Sequence, residues 1–85
     1  MAKREKPVHE ERLGAIKATV WANQTQKGVM YNTTITRVYK DDDEWKDTGS
    51  FGRDDLLVVS RVAELASVWI YHEQARAREE DREAA

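Results

Sequence analysis

Aromatic and basic side chains interleave through the middle of the chain, and together they could bind a single-stranded nucleic acid. Aromatic rings stack on exposed bases, which contributes about 1–3 kcal/mol per base, while lysine and arginine neutralise the phosphates. For Trp21, Tyr31 and Trp45 the competing interpretation is a place in the core, because a thin sheet under one helix needs large side chains. The candidate nucleic-acid-binding residues are Lys17, Trp21, Arg37, Tyr39, Lys40, Trp45 and Lys46.

The distribution of charge favours a polar binding face, although the chain as a whole is slightly acidic. The net charge is −2 over 85 residues. Residues 12–40 contain basic but no acidic side chains and sum to +5, whereas residues 41–55 sum to −5. Such asymmetry can mark a binding surface. An ordinary solvated surface is the alternative interpretation.

Catalytic chemistry is not predicted. The chain has no cysteine, so a thiol nucleophile and a thiolate metal site are excluded. Neither of the two histidines, His9 and His72, has another histidine at metal-ligand spacing. The acidic run at residues 41–44 lacks the spaced ligands and the glycine of a calcium loop. We therefore predict a non-enzymatic protein without metal or other cofactor.

The elements that would position the candidate residues follow from hydrophobic periodicity. Apolar residues alternate from residue 13 to 22, which predicts a half-buried strand. A second strand is predicted over residues 29–40 and a third over 44–51, joined by an aspartate turn at 41–43. Regular pairing places Tyr31, Thr33, Ile35, Arg37 and Tyr39 on one face of the second strand. A β-bulge near Thr36 would instead turn Val38 inward.

A long amphipathic helix is predicted to begin between Ser50 and Asp54, with Ser50 or Arg53 as its cap. Its apolar face contains Leu56, Val59, Ala63, Ala66 and Ile70, widened by Leu57, Val62, Leu65 and Trp69. The predicted fold class is therefore α+β. It is an antiparallel β-meander of three strands, or four if residues 13–40 contain a further break, followed by one long amphipathic C-terminal helix.

One folded domain is predicted, over residues 12–73. Residues 1–11 lack periodicity and are expected to be a flexible arm, and residues 74–85 a charged, frayed or disordered tail. Neither a secretory signal nor an apolar span is visible, so we expect a cytoplasmic protein with no membrane partner. Because so short a chain builds a marginal core, the wide apolar stripe of the helix predicts a homodimer.

Several short motifs follow one another in a characteristic order. Ile35-Thr36-Arg37-Val38-Tyr39-Lys40 precedes the acidic turn and Trp45-Lys46, and Gly49-Ser50-Phe51 leads into Asp54-Asp55-Leu56-Leu57. Over roughly residues 13–70 this order resembles the PC4-like transcriptional coactivator domains. The resemblance implies a meander with a C-terminal helix, dimers formed through that helix, and single-stranded DNA bound on the sheets. The chain also resembles a group of short bacterial proteins with the stretch Ser-Phe-Gly-Arg-Asp-Asp-Leu, here residues 50–56.

Two functions from different classes are consistent with these patterns. The first is binding of single-stranded nucleic acid by an aromatic and basic sheet face. The alternative is a homodimeric protein–protein interaction module with no nucleic-acid role. Salt dependence separates them, because phosphate contacts weaken steeply with salt and an apolar protein interface hardly responds.

Overall fold

Four antiparallel strands followed by one long helix make up the protein in a computed structural model that describes residues 5–84. The strands lie in the sheet in chain order, β1-β2-β3-β4. The predicted α+β class is confirmed. The meander has four strands, and the additional strand comes from residues 5–13, not from a break within residues 13–40. The elements are β1 (Glu5–Leu13), β2 (Ile16–Thr25), β3 (Gly28–Asp41), β4 (Glu44–Thr48), a 3₁₀ turn (Arg53–Asp55) and α1 (Leu56–Ala84).

Short turns connect the strands and explain why neighbours along the chain pair with each other. Only residues 14–15, 26–27 and 42–43 separate successive strands. The last of these turns contains Asp42 at φ 50° and Asp43 at φ 71°, the left-handed region. Aspartate tolerates that region better than most residues. The predicted aspartate turn therefore joins β3 to β4 as a tight hairpin.

The hydrophobic core lies between β2 and α1. The buried apolar residues are Ile16, Ala18, Val20, Val62 and Ala66. Three of them alternate along β2, as the period-two pattern predicted, and two, Val62 and Ala66, come from the predicted apolar face of the helix. That face was predicted too wide at its start, because Leu56, Leu57 and Ala63 are exposed. Phe51 and Trp69 pack against this cluster with Tyr31 and Ile35. Because α1 packs mainly on β1 and β2, it covers only about half of the sheet's width.

The flexible arm predicted for residues 1–11 is wrong for residues 5–11, which belong to β1. This strand pairs with β2 from Glu5 opposite Asn23 to Leu13 opposite Ile16. A register shift between Pro7 and His9 interrupts the pairing. That irregularity breaks the alternation by which sequence reasoning detects a strand. Residues 1–4 lie outside the described residues.

The tail predicted to be frayed or disordered is wrong for residues 74–84, because α1 continues to Ala84. Ion pairs one turn apart support this part of the helix. Arg76 donates to Glu73 at 2.6 Å and to Glu80 at 2.9 Å, a spacing that stabilises exposed helices. The hydrogen bond to the Glu73 carboxylate raises the pKa of Arg76 above its ordinary value. Residue 85 lies outside the described residues.

The start of the helix also differs from the predicted caps. Gly52 occupies the cap position, where its backbone N–H donates to the Asp55 carboxylate at 2.8 Å. Asp54 and Asp55 lie in the first turn, as expected from the helix dipole. The Asp55 carboxylate, inside the first turn, therefore accepts the hydrogen bond that caps the start of the helix. Neither Ser50 nor Arg53 acts as the cap.

Candidate nucleic-acid interface

The two faces of the sheet differ in what lies against them. Residues directly opposite each other on paired strands project from the same face. The helix side contains Ile16, Ala18 and Val20 of β2, on which α1 packs. No helix formed by residues 5–84 packs on the other face. We call it the outer face, and it contains Pro7, Glu10 and Arg12 of β1, Lys17, Thr19, Trp21 and Asn23 of β2, Met30, Asn32, Thr34, Thr36, Val38 and Lys40 of β3, and Trp45 and Asp47 of β4.

The seven candidate residues do not share one face. Lys17, Trp21, Lys40 and Trp45 lie on the outer face, whereas Arg37, Tyr39 and Lys46 lie on the helix side. Pairing of β2 with β3 is regular from Ile16 opposite Arg37 to Thr25 opposite Gly28, so no β-bulge forms near Thr36. The prediction that all seven form one binding surface is therefore wrong.

Two of the three residues on the helix side are paired with acids, and the third, Tyr39, has the Arg37 guanidinium 5.7 Å from the centre of its ring. The guanidinium of Arg37 lies 3.5 Å from the Asp55 carboxylate and donates to the Ser50 carbonyl at 3.4 Å. The ammonium of Lys46 lies 3.1 Å from the Asp41 carboxylate. Because Asp55 lies beside it, Arg37 can project from the helix side of β3. The two carboxylates neutralise Arg37 and Lys46, so little positive charge remains there for a phosphate. Arg37, Tyr39 and Lys46 are therefore not part of the candidate interface.

One end of the outer face presents an exposed aromatic ring beside a cation. Trp45 is 68% exposed, and the Lys40 ammonium lies 5.9 Å from the centre of its ring. The two residues are directly opposite each other on β4 and β3. A cation over an indole ring is a favourable arrangement. It places a stacking surface next to a positive charge, as a nucleotide requires.

The other end of the outer face holds a second tryptophan in a fixed orientation. The indole N–H of Trp21 donates to the Thr34 hydroxyl at 3.0 Å, which fixes how the half-buried ring lies on the sheet. Asn32 is directly opposite Trp21, and the neighbouring Met30 is exposed. The ring could stack one base while the amide of Asn32 offers hydrogen bonds beside it.

Acidic side chains on the described outer face lie only on the edge strands. Glu10 on β1 is opposite Thr19, and Asp47 on β4 is opposite Val38. The central strands β2 and β3 contribute Lys17 and Lys40 to this face and no acid. A lane without acids therefore runs along the middle of the sheet, between Asp47 on the β4 edge and Glu10 and Arg12 on the β1 edge.

Sequence reasoning missed the hydroxyl groups that line this lane. Thr19 is opposite Thr34, and Thr36 is opposite Lys17. Hydroxyls both donate and accept hydrogen bonds, so they suit bases as well as phosphates. Alternation and pairing put these threonines on the same face as Lys17 and Trp21. They become candidates, however, only once it is known which face of the sheet the helix covers.

The half of the sheet that α1 leaves uncovered forms a groove on the helix side, with a volume of about 420 Å³. Thr33 and Ile35 form its wall on β3. The helix contributes Ala63, Ala66, Ser67, Ile70, Tyr71 and Gln74. The groove is thus mainly apolar and lies on the opposite side of the sheet from the outer face.

No protein-family model matches the chain, and no match was found among curated proteins or solved structures. The resemblance to PC4-like domains stays a prediction. Among residues 5–84, no three His, Asp or Glu side chains are grouped so that they could hold a metal ion. Within the same range, no helix has the length and apolar character needed to cross a bilayer.

Proposed function

We propose that the protein is a non-enzymatic, cofactor-free cytoplasmic protein that binds single-stranded nucleic acid on the outer face of its sheet. The observation that supports this most directly is the acid-free lane along β2 and β3, which has a tryptophan at each end. Bases stack on Trp45 and Trp21, and Lys17 and Lys40 contact phosphates. Stacking tolerates every base, so little sequence preference is expected.

The shape of this surface favours a single strand over a duplex. Duplex readers insert a helix or a two-stranded ribbon into the major groove. Here α1 lies on the opposite side of the sheet from the candidate interface. In a single strand the bases are unpaired, so they can lie flat on the exposed ring of Trp45.

We expect Lys40→Gln and Trp45→Ala to weaken binding in distinguishable ways. Removing Lys40 should make the slope of log affinity against log salt concentration shallower by about 0.7, the value for one phosphate contact on a single strand. Removing Trp45 should lower affinity by roughly tenfold, because one stacked base is lost, and leave the slope unchanged. Fluorescence anisotropy of a labelled oligothymidylate, titrated at several salt concentrations, measures both quantities.

The matched control is Lys46→Gln, which removes the same charge from the helix side of the neighbouring strand. It should change neither the affinity nor the salt slope. A duplex should bind more weakly than either of its strands. If Lys46→Gln weakened binding as much as Lys40→Gln, the outer face would be the wrong surface, and no binding of any oligonucleotide at low salt would exclude the function.

The groove favours a second candidate function, self-association into a homodimer as an interaction module. Among the residues that the structure describes, five apolar side chains are buried completely enough to form a core. Further apolar burial would therefore stabilise so small a domain. Tyr71, 71% exposed, lies one helical turn from Ser67 and two from Ala63. A two-fold axis at Ser67 would place the Tyr71 ring of each chain on Ala63 of the other, since a two-fold contact is reciprocal.

If this candidate is right, Ser67→Arg should convert a dimer into a monomer, because a guanidinium in the groove cannot be covered by an apolar partner. Sedimentation velocity at micromolar concentration measures the change. The matched control is Val68→Arg, whose side chain is next in the chain but does not line the groove. It should stay dimeric. A wild-type protein that is monomeric throughout would remove this candidate.

A further inference from the structure

We infer that a bound strand runs lengthwise along β2 and β3, from Trp45 to Trp21, and does not cross the sheet from edge to edge. This inference rests on the proposed function and concerns the path and length of the site. It follows from where the strand register places the two rings, the two lysines and the two acids of the outer face.

The register fixes the separation between the stacking positions. Trp45 is opposite Lys40, and Trp21 is opposite Asn32, eight residues further back along β3. At about 3.3 Å per residue and about 4.8 Å per strand spacing, the two tryptophans are about 28 Å apart. A stretched single strand advances by roughly twice the 3.4 Å rise of a duplex strand, so about five nucleotides span this distance.

The cations lie along the same line. Lys40 is beside Trp45, and Lys17 is opposite Thr36, which is midway between Lys40 and Asn32 along β3. A strand that stacks one base on each tryptophan would therefore meet a cation at its first phosphate and another near its centre. The Thr36 and Thr34 hydroxyls line the path between Lys17 and Trp21.

The register disfavours a transverse path. A strand that crossed the sheet beside Val38 would pass Asp47, and one that crossed beside Thr34 would pass Glu10. A strand that crossed between them, over Arg12 and Lys17, would meet two cations but neither tryptophan. Each carboxylate repels a phosphate and has no compensating cation directly opposite it, since its opposite residue is Val38 or Thr19. The lengthwise path avoids both acids.

The test is a series of oligothymidylates from about two to about ten nucleotides, spanning the lower part of the usual range of site sizes. Affinity for the wild type should rise steeply with length and level off at about five nucleotides. Trp45→Ala should lower affinity roughly tenfold for the longer oligomers and by no more than about twofold for a trimer, because the trimer still binds at Trp21. Leu57→Ala, on the exposed side of α1, is the matched control and should bind as the wild type does.

The inference is overturned if affinity levels off at two nucleotides, or if Trp45→Ala weakens the trimer and the longer oligomers equally. Asp47→Asn gives an independent result. It should leave both the affinity and the length at which affinity levels off nearly unchanged, whereas a marked gain of affinity would place the strand across the β4 edge, where the Asp47 carboxylate would otherwise repel a phosphate. Absence of binding at every length would instead defeat the proposed function itself.

Discussion

Val62→Asp is expected to unfold the domain. Val62 is fully buried, at 0% exposure, in the cluster that joins α1 to β2. The core there is apolar, so the new carboxylate would have no hydrogen-bond partner. Burying a polar group without a partner costs roughly 2–7 kcal/mol, and an unpaired charge costs more. Native domains are stable by only about 5–15 kcal/mol, with small ones at the low end. Circular dichroism should show no cooperative thermal transition.

Leu57→Asp is the matched control for this substitution. It places the same charge on the same helix, but Leu57 is 84% exposed. Its melting curve should resemble that of the wild type. If both variants melted like the wild type, the face of α1 that packs on the sheet would be assigned incorrectly.

Trp69→Ala is expected to destabilise the domain by about 3–5 kcal/mol, as for other large aromatic side chains removed from a core. The Trp69 ring stacks on His9 with centroids 4.5 Å apart and meets Tyr31 edge-on at 5.8 Å. It therefore connects α1 to β1 and to β3. Because 1 kcal/mol shifts the Tm of a domain this small by about 4–8 °C, the melting temperature should fall by about 12 °C or more.

The loss should be greatest at the edge strand. Without Trp69, His9 keeps its contact with Glu11, 2.5 Å from its Nε2, but loses its contact with the helix. Hydrogen exchange should therefore accelerate in β1 more than in β2. Trp45→Ala, the same deletion at an exposed position on the outer face, should leave both Tm and exchange unchanged. Equal effects of the two tryptophan deletions would contradict the role assigned to Trp69.

The placement of the two candidate surfaces makes their functions separable. The outer face and the groove lie on opposite sides of one sheet, so a substitution in one leaves the other in place. Lys40→Gln should alter nucleic-acid binding without changing the oligomeric state, and Ser67→Arg should do the reverse. In a dimer joined through the grooves, the outer faces would point away from each other and remain available to nucleic acid.

The sequence by itself determined the elements whose pattern is regular. Alternation in β2 placed Ile16, Ala18 and Val20 on one face of the strand, and the helical spacing of apolar residues placed Val62 and Ala66 on one broad stripe of α1. These assignments succeeded because side-chain direction within a single strand or helix follows from local backbone geometry. The β3–β4 turn was predictable for the same reason, since aspartate has a local preference for such angles.

The sequence patterns gave wrong predictions at the two ends of the chain. At one end an irregular register hid a strand, and at the other end ion pairs support a helix that has no apolar face. The shift between Pro7 and His9 hid β1 by breaking its alternation. The polar end of α1 lacks an apolar face, yet Arg76 is held by carboxylates on both sides of it along the helix. Neither feature changes the fold class. Residues 5–11 nevertheless form part of β1, and residues 74–84 continue α1, although the composition of both segments is typical of unstructured chain.

The tertiary structure alone decided which candidate residues lie on the uncovered face of the sheet. Alternation states that Arg37 and Lys40 point to opposite faces of β3, but not which face a helix covers. That depends on where α1 comes to lie, and therefore on contacts such as the one between Trp69 and His9, which are sixty residues apart in the chain. Alternation and strand register separate Lys17, Trp21, Lys40 and Trp45 from Arg37, Tyr39 and Lys46. Only the position of α1 shows which of the two groups lies on the uncovered face. Long-range packing selects one of two faces that are equivalent in local backbone geometry, and no local sequence pattern records that choice.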